Sequence, residues 1–141
     1  FFRGQFRFGT RGQRSLDFPV AAIIAKEDKI LCTQRGNVKY LPYKWEFPGG
    51  KVEVAETKEE ALIREIKEEL GCTIIIKDHA VEVKHEYDFA IINLTAYYCN
   101  IIDGNILRKE HHAIKWCSID ELFDLDWADA DLPIVQRISN R

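Results

Sequence analysis

The segment GKVEVAETKEEALIREIKEELGC, residues 50–72, predicts a glycine turn followed by an amphipathic helix. Thr57 has the features of a helix N-cap, and Glu60, three residues later, completes a capping box. The helix is predicted to run to about Leu70 and to end at Gly71, a residue type typical of the position after a helix. The apolar residues of its buried face recur every four positions: Leu62, Ile66 and Leu70, with Ala61 beside them.

The same helix carries three glutamates at positions i, i+3 and i+4, which are neighbours on one helical surface: Glu65, Glu68 and Glu69. Like charges at this spacing repel, so a solvated acidic face, partly offset by nearby basic side chains, is one interpretation. The glycines just upstream favour another, because backbone carbonyls can approach an ion there. Ligands that are all oxygen fit Mg²⁺ or Mn²⁺ rather than zinc. They indicate metal-assisted attack of water on a phosphate chain.

Composition narrows the class of protein. The 141 residues are enough for one domain with its own core. No apolar run approaches the roughly 18 residues needed to span a membrane, and no secretory signal is recognisable, so we expect a cytoplasmic protein. The net charge of −3 gives no case for nucleic-acid binding. The four cysteines show no CxxC spacing and are predicted to be free thiols: Cys32, Cys72, Cys99 and Cys117.

The first sixteen residues, FFRGQFRFGTRGQRSL, differ from the rest of the chain. They carry four arginines and no acidic residue, and glycine interrupts them three times. Arginines interleaved with phenylalanines suit stacking on single-stranded nucleic acid, but a flexible or vector-derived extension is the interpretation we favour. We therefore divide the chain into an N-terminal tail, residues 1–16, and one domain, residues 17–141.

The remaining segments predict a mixed α/β fold. From Phe18, FPVAAIIA predicts a buried strand and KILCTQR its hairpin partner. WEFPGGKVE predicts two short extended pieces around a Pro-Gly-Gly break, and CTIIIK, AVEVKHEY, AIINLTAYYCNII and AIKWCS predict further strands. Ser118 and Glu121 indicate a short capped helix, and Pro133 lies in the first turn of a terminal helix. Strands joined mostly by hairpins indicate an α/β sandwich around a mixed sheet.

Residues 50–72 resemble the signature box of the Nudix hydrolase family, G-x5-E-x7-R-E-U-x-E-E-x-G-U, where U is a bulky aliphatic residue. Eight positions match: Gly50, Glu56, Arg64, Glu65, Ile66, Glu68, Glu69 and Gly71. Cys72 departs from the last aliphatic position, but cysteine is itself a small hydrophobe. The resemblance covers most of residues 18–141 and is strongest to MutT-type members. Among these the chain looks most like the bacterial CTP pyrophosphohydrolase branch, and the branch that clears 8-oxo-dGTP is nearly as similar.

The resemblance assigns the residues of the box to a metal centre. It implies that a divalent metal is bound by three glutamates and one backbone carbonyl: Glu65, Glu68, Glu69 and Gly50. Arg64 matches the arginine that orients these carboxylates through charge-assisted hydrogen bonds. Glu56 and Gly71 match structural positions. Glu59 and Glu60 lie outside the motif and are interpreted as helix-start and surface charge.

Three further assignments follow from the resemblance. Glu110, in a charged loop, matches an additional metal-linked glutamate, and an ordinary loop acid is the alternative. Arg35 matches an arginine that contacts substrate, and a surface arginine at a strand end is its alternative. For the residue that accepts a proton from water, Glu65 is our first choice and Glu110 our second.

The base of the nucleotide is predicted to be read by Asp131, which matches the position where MutT-type enzymes place Asn or Asp. An ionised carboxylate only accepts hydrogen bonds, which suits the exocyclic amine of cytosine. A protonated Asp131 would suit an oxidised guanine, and a helix N-cap is the structural alternative. Asp129 is a second candidate reader. Phe47 and Trp127 are placed to stack on the base, although buried aromatic residues more often belong to the core.

Taken together, the sequence predicts a single-domain Nudix α/β/α sandwich around a mixed β-sheet. Its predicted activity is Mg²⁺-dependent hydrolysis of a nucleoside triphosphate to the monophosphate and pyrophosphate, with Mn²⁺ as a substitute metal. CTP, dCTP or a 5-substituted dCTP is the expected substrate, and 8-oxo-dGTP is the alternative. A nucleotide-binding module without catalysis is a third reading. We expect no membrane or nucleic-acid partner, and both a monomer and a homodimer are consistent with the sequence.

Overall fold

Within residues 14–141, which the computed structural model describes, eight strands form one mixed β-sheet. The strands are β1 Ser15–Asp17, β2 Pro19–Lys26, β3 Lys29–Gln34, β4 Trp45–Glu46, β5 Gly49–Lys51, β6 Thr73–Glu86, β7 Ala90–Asp103 and β8 Ala113–Cys117. The α-helices are α1 Lys58–Leu70 and α2 Leu132–Ser139, and two 3-10 helices span Asp120–Asp124 and Asp129–Asp131. The predicted fold class is confirmed.

Strand β2 is the centre of the sheet. It pairs in parallel with β7 and antiparallel with both β3 and β5. Beyond these neighbours, β1 runs parallel to β7, β6 forms a long antiparallel hairpin with β7, and β3 pairs with β4 and β8. Because β5 leads directly into the predicted metal-binding helix, its pairing with the start of β2 places that helix against the sheet.

The two faces of the sheet carry separate apolar cores, which makes the fold an α/β/α sandwich. Side chains alternate along β2 as the pleat requires, so Val20, Ala22 and Ile24 pack under α1. Ala21 and Ile23 point to the other face, where α2 packs. The predicted stripe of α1 is confirmed, since all four of its apolar side chains are fully buried: Ala61, Leu62, Ile66 and Leu70.

Both ends of α1 are defined as the sequence predicts. Thr57 Oγ1 accepts a hydrogen bond from the Glu60 N–H at 3.1 Å, and Glu60 Oε1 accepts one from the Thr57 N–H at 2.9 Å. Gly71 adopts a left-handed conformation with φ of 73° and closes the helix through its N–H to Lys67 O. The Leu107 N–H donates to Leu70 O, which ties the segment between β7 and β8 to the same helix end.

Two elements differ from their predicted form. The segments CTIIIK and AVEVKHEY belong to one strand, β6, because three register shifts restart its side-chain alternation and give it the pattern of shorter strands. The helix after Ser118 is a 3-10 helix, although the Ser118 and Glu121 side chains still exchange capping bonds.

The predicted tail falls largely outside the described residues. Residues 1–13 lie beyond them, so the interpretation of that arginine-rich stretch stays a prediction. Ser15 and Leu16, which we had assigned to the tail, form β1 and pair with β7. Arg14 contacts Glu86 through an ion pair of 3.5 Å.

The cysteines are unpaired, as the sequence predicts. All four cysteines lie within the described residues, where they are buried free thiols, and burial raises the pKa of each thiol. Within residues 14–141, no helix combines the length and the apolar composition needed to cross a bilayer.

Replacing the cap of α1 tests its part in stability. We expect Thr57→Ala to lower the free energy of unfolding by about 1 kcal/mol, because the Glu60 N–H loses its acceptor. Thr57→Ser keeps a hydroxyl at the same place and serves as the control. Urea denaturation monitored by circular dichroism measures the difference, and equal stability of the two variants would contradict the cap.

Candidate active site

Two glycines allow β5 to approach its neighbours closely. A Cβ atom on Gly49 would lie 1.9 Å from the carbonyl oxygen of Val20, and one on Gly50 would lie 2.2 Å from Glu65 Oε2. At Gly49 the close atoms are backbone and leave no room for a side chain, whereas at Gly50 a Cβ atom would displace the Glu65 carboxylate. The backbone at Gly50 and the carboxylate of Glu65 are therefore in direct proximity, as the predicted joint role in metal binding requires.

Arg64 connects the carboxylates around this turn. Its Nε and Nη2 donate to the two oxygens of Glu56 at 2.7 and 2.9 Å, a bidentate arrangement. Its Nη1 donates to Glu65 Oε1 at 2.7 Å and to Glu68 Oε2 at 3.2 Å. Nη2 also donates to the carbonyl of Lys51 at 3.0 Å. The hydrogen bonding between Arg64 and Glu56 lowers the pKa of Glu56 and raises the pKa of Arg64.

Glu56 has the position expected of a structural residue. Besides binding Arg64, its Oε1 accepts a hydrogen bond from the Glu53 N–H at 2.9 Å. It thus fixes the loop between β5 and α1 to a side chain two turns into the helix. This geometry supports its predicted scaffold role.

The three candidate metal ligands differ in exposure. Glu65 and Glu69 are 4% and 1% exposed, whereas the side chain of Glu68 is 52% exposed. Carboxylates and one backbone carbonyl are the donors that hard divalent cations prefer, so this set fits Mg²⁺ chemically. Among residues 14–141, no three His, Cys, Asp or Glu side chains are already grouped for coordination. Glu65 and Glu68 each bind Arg64 through one oxygen, and Glu65 Oε2 lies toward the backbone of Gly50.

Glu110 lies exposed in the segment between β7 and β8. That segment is fixed at one end by the bond from the Leu107 N–H to α1 and at the other by a bond from the His112 N–H to Gln34 O. Glu110 therefore lies on a connection between the end of the metal-binding helix and the end of β3. Because no group of three metal-ligating side chains occurs in the described part of the chain, its role as a ligand stays a prediction.

Asp131 is fully buried and occupies the N-cap position of α2, but its side chain makes no capping hydrogen bond. Its Oδ1 instead accepts a hydrogen bond from the backbone N–H of Phe47 at 3.0 Å, across 84 positions of sequence. Oδ2 is also buried and has no hydrogen-bond partner among residues 14–141. Burial, followed by the charge of Glu46, raises the pKa of Asp131 well above its usual range. Asp131 therefore has the N-cap position that its sequence context indicates, but its side chain bonds to Phe47 instead of capping the helix.

Arg35 is buried beside this aspartate. Its Nη1 forms an ion pair of 3.4 Å with the buried Glu46, and its Nη2 donates to Tyr40 O at 3.2 Å. The alternative of a surface arginine is wrong, because β3 ends in the interior next to β4. Arg35 also lowers the pKa of Asp131, although less than burial raises it.

The aromatic candidates belong to the core. The rings of Phe47 and Trp127 stack with centroids 4.6 Å apart, and the side chain of Phe47 is fully buried. Stacking of either ring on a base stays a prediction, whereas the Phe47 backbone has a demonstrated partner in Asp131.

Sequence reasoning assigned no role to Glu46 or Tyr87, yet both lie beside Asp131. The Tyr87 hydroxyl accepts a hydrogen bond from the Ala130 N–H at 2.8 Å, and burial raises its pKa. Glu46 belongs to the segment WEFPGGKVE. Its ion pair with Arg35 joins two different strands, so no local sequence pattern predicts it. Asp129, the second candidate reader, is mostly exposed and lies 3.9 Å from His85.

Comparison with known proteins agrees with this geometry. The family model described as NUDIX domain matches residues 16–138. The CTP pyrophosphohydrolase of Escherichia coli K12 is 38% identical over 117 residues, which cover 83% of this chain and 87% of that protein. The 8-oxo-dGTP diphosphatase of the same strain is 30% identical over 127 residues, covering 89% of this chain and 97% of that protein.

A solved structure described as a Nudix hydrolase is also similar to this chain. The solution structure of a MutT protein, described as a Nudix hydrolase, from methicillin-resistant Staphylococcus aureus 252 is 46% identical to this chain. It superposes with a TM-score of 0.73 and covers 90% of this chain and 98% of its own.

The raised pKa of Asp131 makes stability depend on pH. Above the ordinary pKa of an aspartate the unfolded chain releases this proton while the folded chain keeps it, so stability falls as pH rises toward the folded pKa. We expect Asp131→Asn, which cannot titrate, to gain stability relative to the wild type between pH 5 and pH 8. Urea denaturation across that range measures the difference, and parallel profiles would contradict the raised pKa.

Proposed function

Because the chain belongs to the Nudix hydrolase family, we propose that it hydrolyses nucleoside triphosphates to nucleoside monophosphates and pyrophosphate. The observation that carries the proposal is the arrangement of Arg64, Glu65 and Glu68 on the face of α1 next to Gly50. Every charged position of the signature is present, and Arg64 bonds to Glu56, Glu65 and Glu68. This supports hydrolysis over the alternative of a module that only binds nucleotides.

Nudix hydrolases generally use divalent metal ions. The residues that would hold Mg²⁺, or Mn²⁺ in its place, are the three carboxylates of α1 and one backbone carbonyl: Glu65, Glu68, Glu69 and Gly50. Bound there, the metal supplies positive charge for the phosphates and polarises the phosphorus centre for attack by water. The near-complete burial of Glu65 and Glu69 supports this assignment, because a carboxylate attracts a cation more strongly in the lower dielectric of a buried position.

Arg64 orients the carboxylates. By donating to Glu65 Oε1, it holds one oxygen of that side chain, while Oε2 faces the backbone of Gly50. Arg64 is held in turn by the bidentate bond to Glu56 and by the carbonyl of Lys51. Glu65 is our choice for the residue that accepts the proton of the attacking water. Glu110 is the second choice, because its loop is bonded to the end of α1.

The substrate proposal depends on the surroundings of Asp131. A neutral carboxyl group donates through its O–H and accepts through its remaining lone pairs, whereas the cytosine argument from sequence assumed an ionised group. With Oδ1 bonded to the Phe47 N–H, Oδ2 is the oxygen that would bind the base, and the base must displace the side chains that bury it. A protonated Oδ2 suits the ring N3 of cytosine, and an ionised Oδ2 suits its exocyclic amine. We propose CTP, dCTP or a 5-substituted dCTP as substrate, supported by the similarity to a protein named CTP pyrophosphohydrolase.

The second candidate substrate is 8-oxo-dGTP. The raised pKa of Asp131 favours it, because a protonated carboxyl can donate to the carbonyl O6 of guanine. The relative named 8-oxo-dGTP diphosphatase provides further support. Arg35 is proposed to bind substrate beside this group, and its partner Glu46 fixes its orientation.

Removing one metal ligand tests catalysis. We expect Glu69→Gln or Glu68→Gln to lower Mg²⁺-dependent kcat by at least about 100-fold, since even residues that only orient metal ligands cost 10- to 100-fold when changed. Glu60→Gln is the matched control, because it removes the same charge from α1 and keeps an acceptor for the Thr57 N–H. Pyrophosphate release measures turnover, and unchanged turnover in the Glu68 and Glu69 variants would refute the metal assignment.

A substrate panel tests the base reader. We expect CTP, dCTP and 5-methyl-dCTP to have higher kcat/KM than dGTP and 8-oxo-dGTP. Asp131→Asn should change the ratio between the cytosine and guanine substrates by about tenfold or more, because a buried polar group that contacts the base controls discrimination. Asp129→Asn is the comparison, because a change in the ratio there, with none in Asp131→Asn, would move the assignment to the second candidate reader. A strong preference of the wild type for 8-oxo-dGTP would overturn the cytosine proposal.

A further inference from the structure

The first turn of α1 is bonded to strand β7 by side chains outside the signature. The Tyr97 hydroxyl donates to Glu59 Oε1 at 2.8 Å, and the rest of Tyr97 is buried under the helix. Burial raises the pKa of Tyr97, and the bond to Glu59 raises it further, so the phenol remains a donor throughout the neutral pH range. Glu59, interpreted from sequence as a helix-start charge, therefore has a specific partner on the sheet.

A second bond lies one position earlier in the helix. Lys58 Nζ donates to Thr95 Oγ1 at 3.2 Å and to Glu82 Oε1 at 3.3 Å. Thr95 is almost fully buried, whereas Lys58 and Glu82 are largely exposed, so their ion pair contributes little by itself. Thr95 and Tyr97 are two residues apart on β7 and lie on the same face of the sheet.

The geometry of α1 connects these bonds to the metal-binding carboxylates. Glu65 and Glu69 follow Lys58 by 7 and 11 positions, so at 3.6 residues per turn all three lie on one stripe of the helix. Lys58 and Glu59 are about 100° apart around the axis. Bonds at both positions therefore resist rotation of the helix in either direction, and rotation would move the whole stripe.

We propose that Tyr97, with Thr95, is a positioning residue that sets the rotation of α1 and thereby aims Glu65 and Glu69 at the metal. The proposal rests on the proposed function of that helix face. Each side chain acts through its bond to the first turn of the helix.

The bond between Tyr97 and Glu59 matters for activity because the metal-binding carboxylates must be placed precisely. Side-chain atoms lie roughly 5–6 Å from the axis of a helix, so a rotation of about 10° moves a carboxylate by about 1 Å. A misplacement of about 1 Å can lower a rate by roughly 100-fold. Partial loss of the anchor should therefore give a smaller, measurable effect on metal affinity and turnover.

The test compares Tyr97→Phe with Tyr98→Phe. The two tyrosines are adjacent on β7, and the Tyr98 hydroxyl is buried with no hydrogen-bond partner among residues 14–141, so the control removes the same atom from the other face. In Tyr97→Phe we expect the dissociation constant for Mn²⁺, measured without nucleotide by electron paramagnetic resonance, to rise about 3- to 10-fold. We expect kcat to fall about tenfold with KM for nucleotide within about twofold. Values equal to those of Tyr98→Phe would overturn the proposal.

A second pair of variants avoids the core. Glu59→Gln keeps an acceptor for Tyr97, whereas Glu59→Ala removes it, and both delete the same charge from an exposed position. We expect Glu59→Gln to behave as the wild type and Glu59→Ala to reproduce Tyr97→Phe. Equal behaviour of the two would overturn the anchor. If the wild type hydrolyses no triphosphate, the proposed function fails instead, and the Mn²⁺ affinities still decide whether the anchor positions the carboxylates.

Discussion

The guanidinium of Arg64 is the interaction on which the rest of the site depends. It binds Glu56 in the loop before α1, the carbonyl of Lys51 in β5, and two carboxylates of the helix itself, Glu65 and Glu68. Without a cation at this place, three neighbouring glutamates on one helix face would repel each other. The planar guanidinium satisfies this requirement because its N–H groups point in several fixed directions. A lysine ammonium is a compact charge and could not bind two carboxylate oxygens side by side in the same way.

The segment around β5 connects two chemically different groups that lie on opposite faces of the sheet, the carboxylates of α1 and the carboxyl group of Asp131. The carboxylates of α1 lie on one side, where charge is concentrated and partly solvated. On the other side, the fully buried Asp131 is bonded to Phe47 of the core that also contains Trp127, and burial raises the pKa of its carboxyl group. Strand β5 and the residues before it connect the two, since the Phe47 N–H holds Asp131 and Gly50 meets Glu65. A charged end for phosphates and an apolar end for a base are the two environments that a nucleotide requires.

Local signals account for the parts of the structure that were predicted correctly. The capping box, the left-handed Gly71 and the four-residue apolar spacing each involve residues close in sequence, so the limits of α1 were recognisable without tertiary information. Long β6 was harder to predict, because bulges interrupt the alternation on which strand prediction depends. Asp131 lies at the N-cap position that its sequence context indicates, but its carboxyl bonds to the Phe47 N–H, 84 positions away, instead of capping α2.

The sequence by itself determined the hydrolase family of this protein, because the glutamates, Arg64 and Gly50 lie within 20 positions of one another and helix periodicity places Glu65, Glu68 and Glu69 on one face of α1. Only the tertiary structure decided the raised pKa of Asp131, the burial of Arg35 and the partner of Glu59. Each depends on contacts between distant strands: Glu46 beside Asp131, and Tyr97 on β7 beneath the first turn of α1. Desolvation and long-range hydrogen bonds arise only when those strands pack, so no spacing within the chain encodes them.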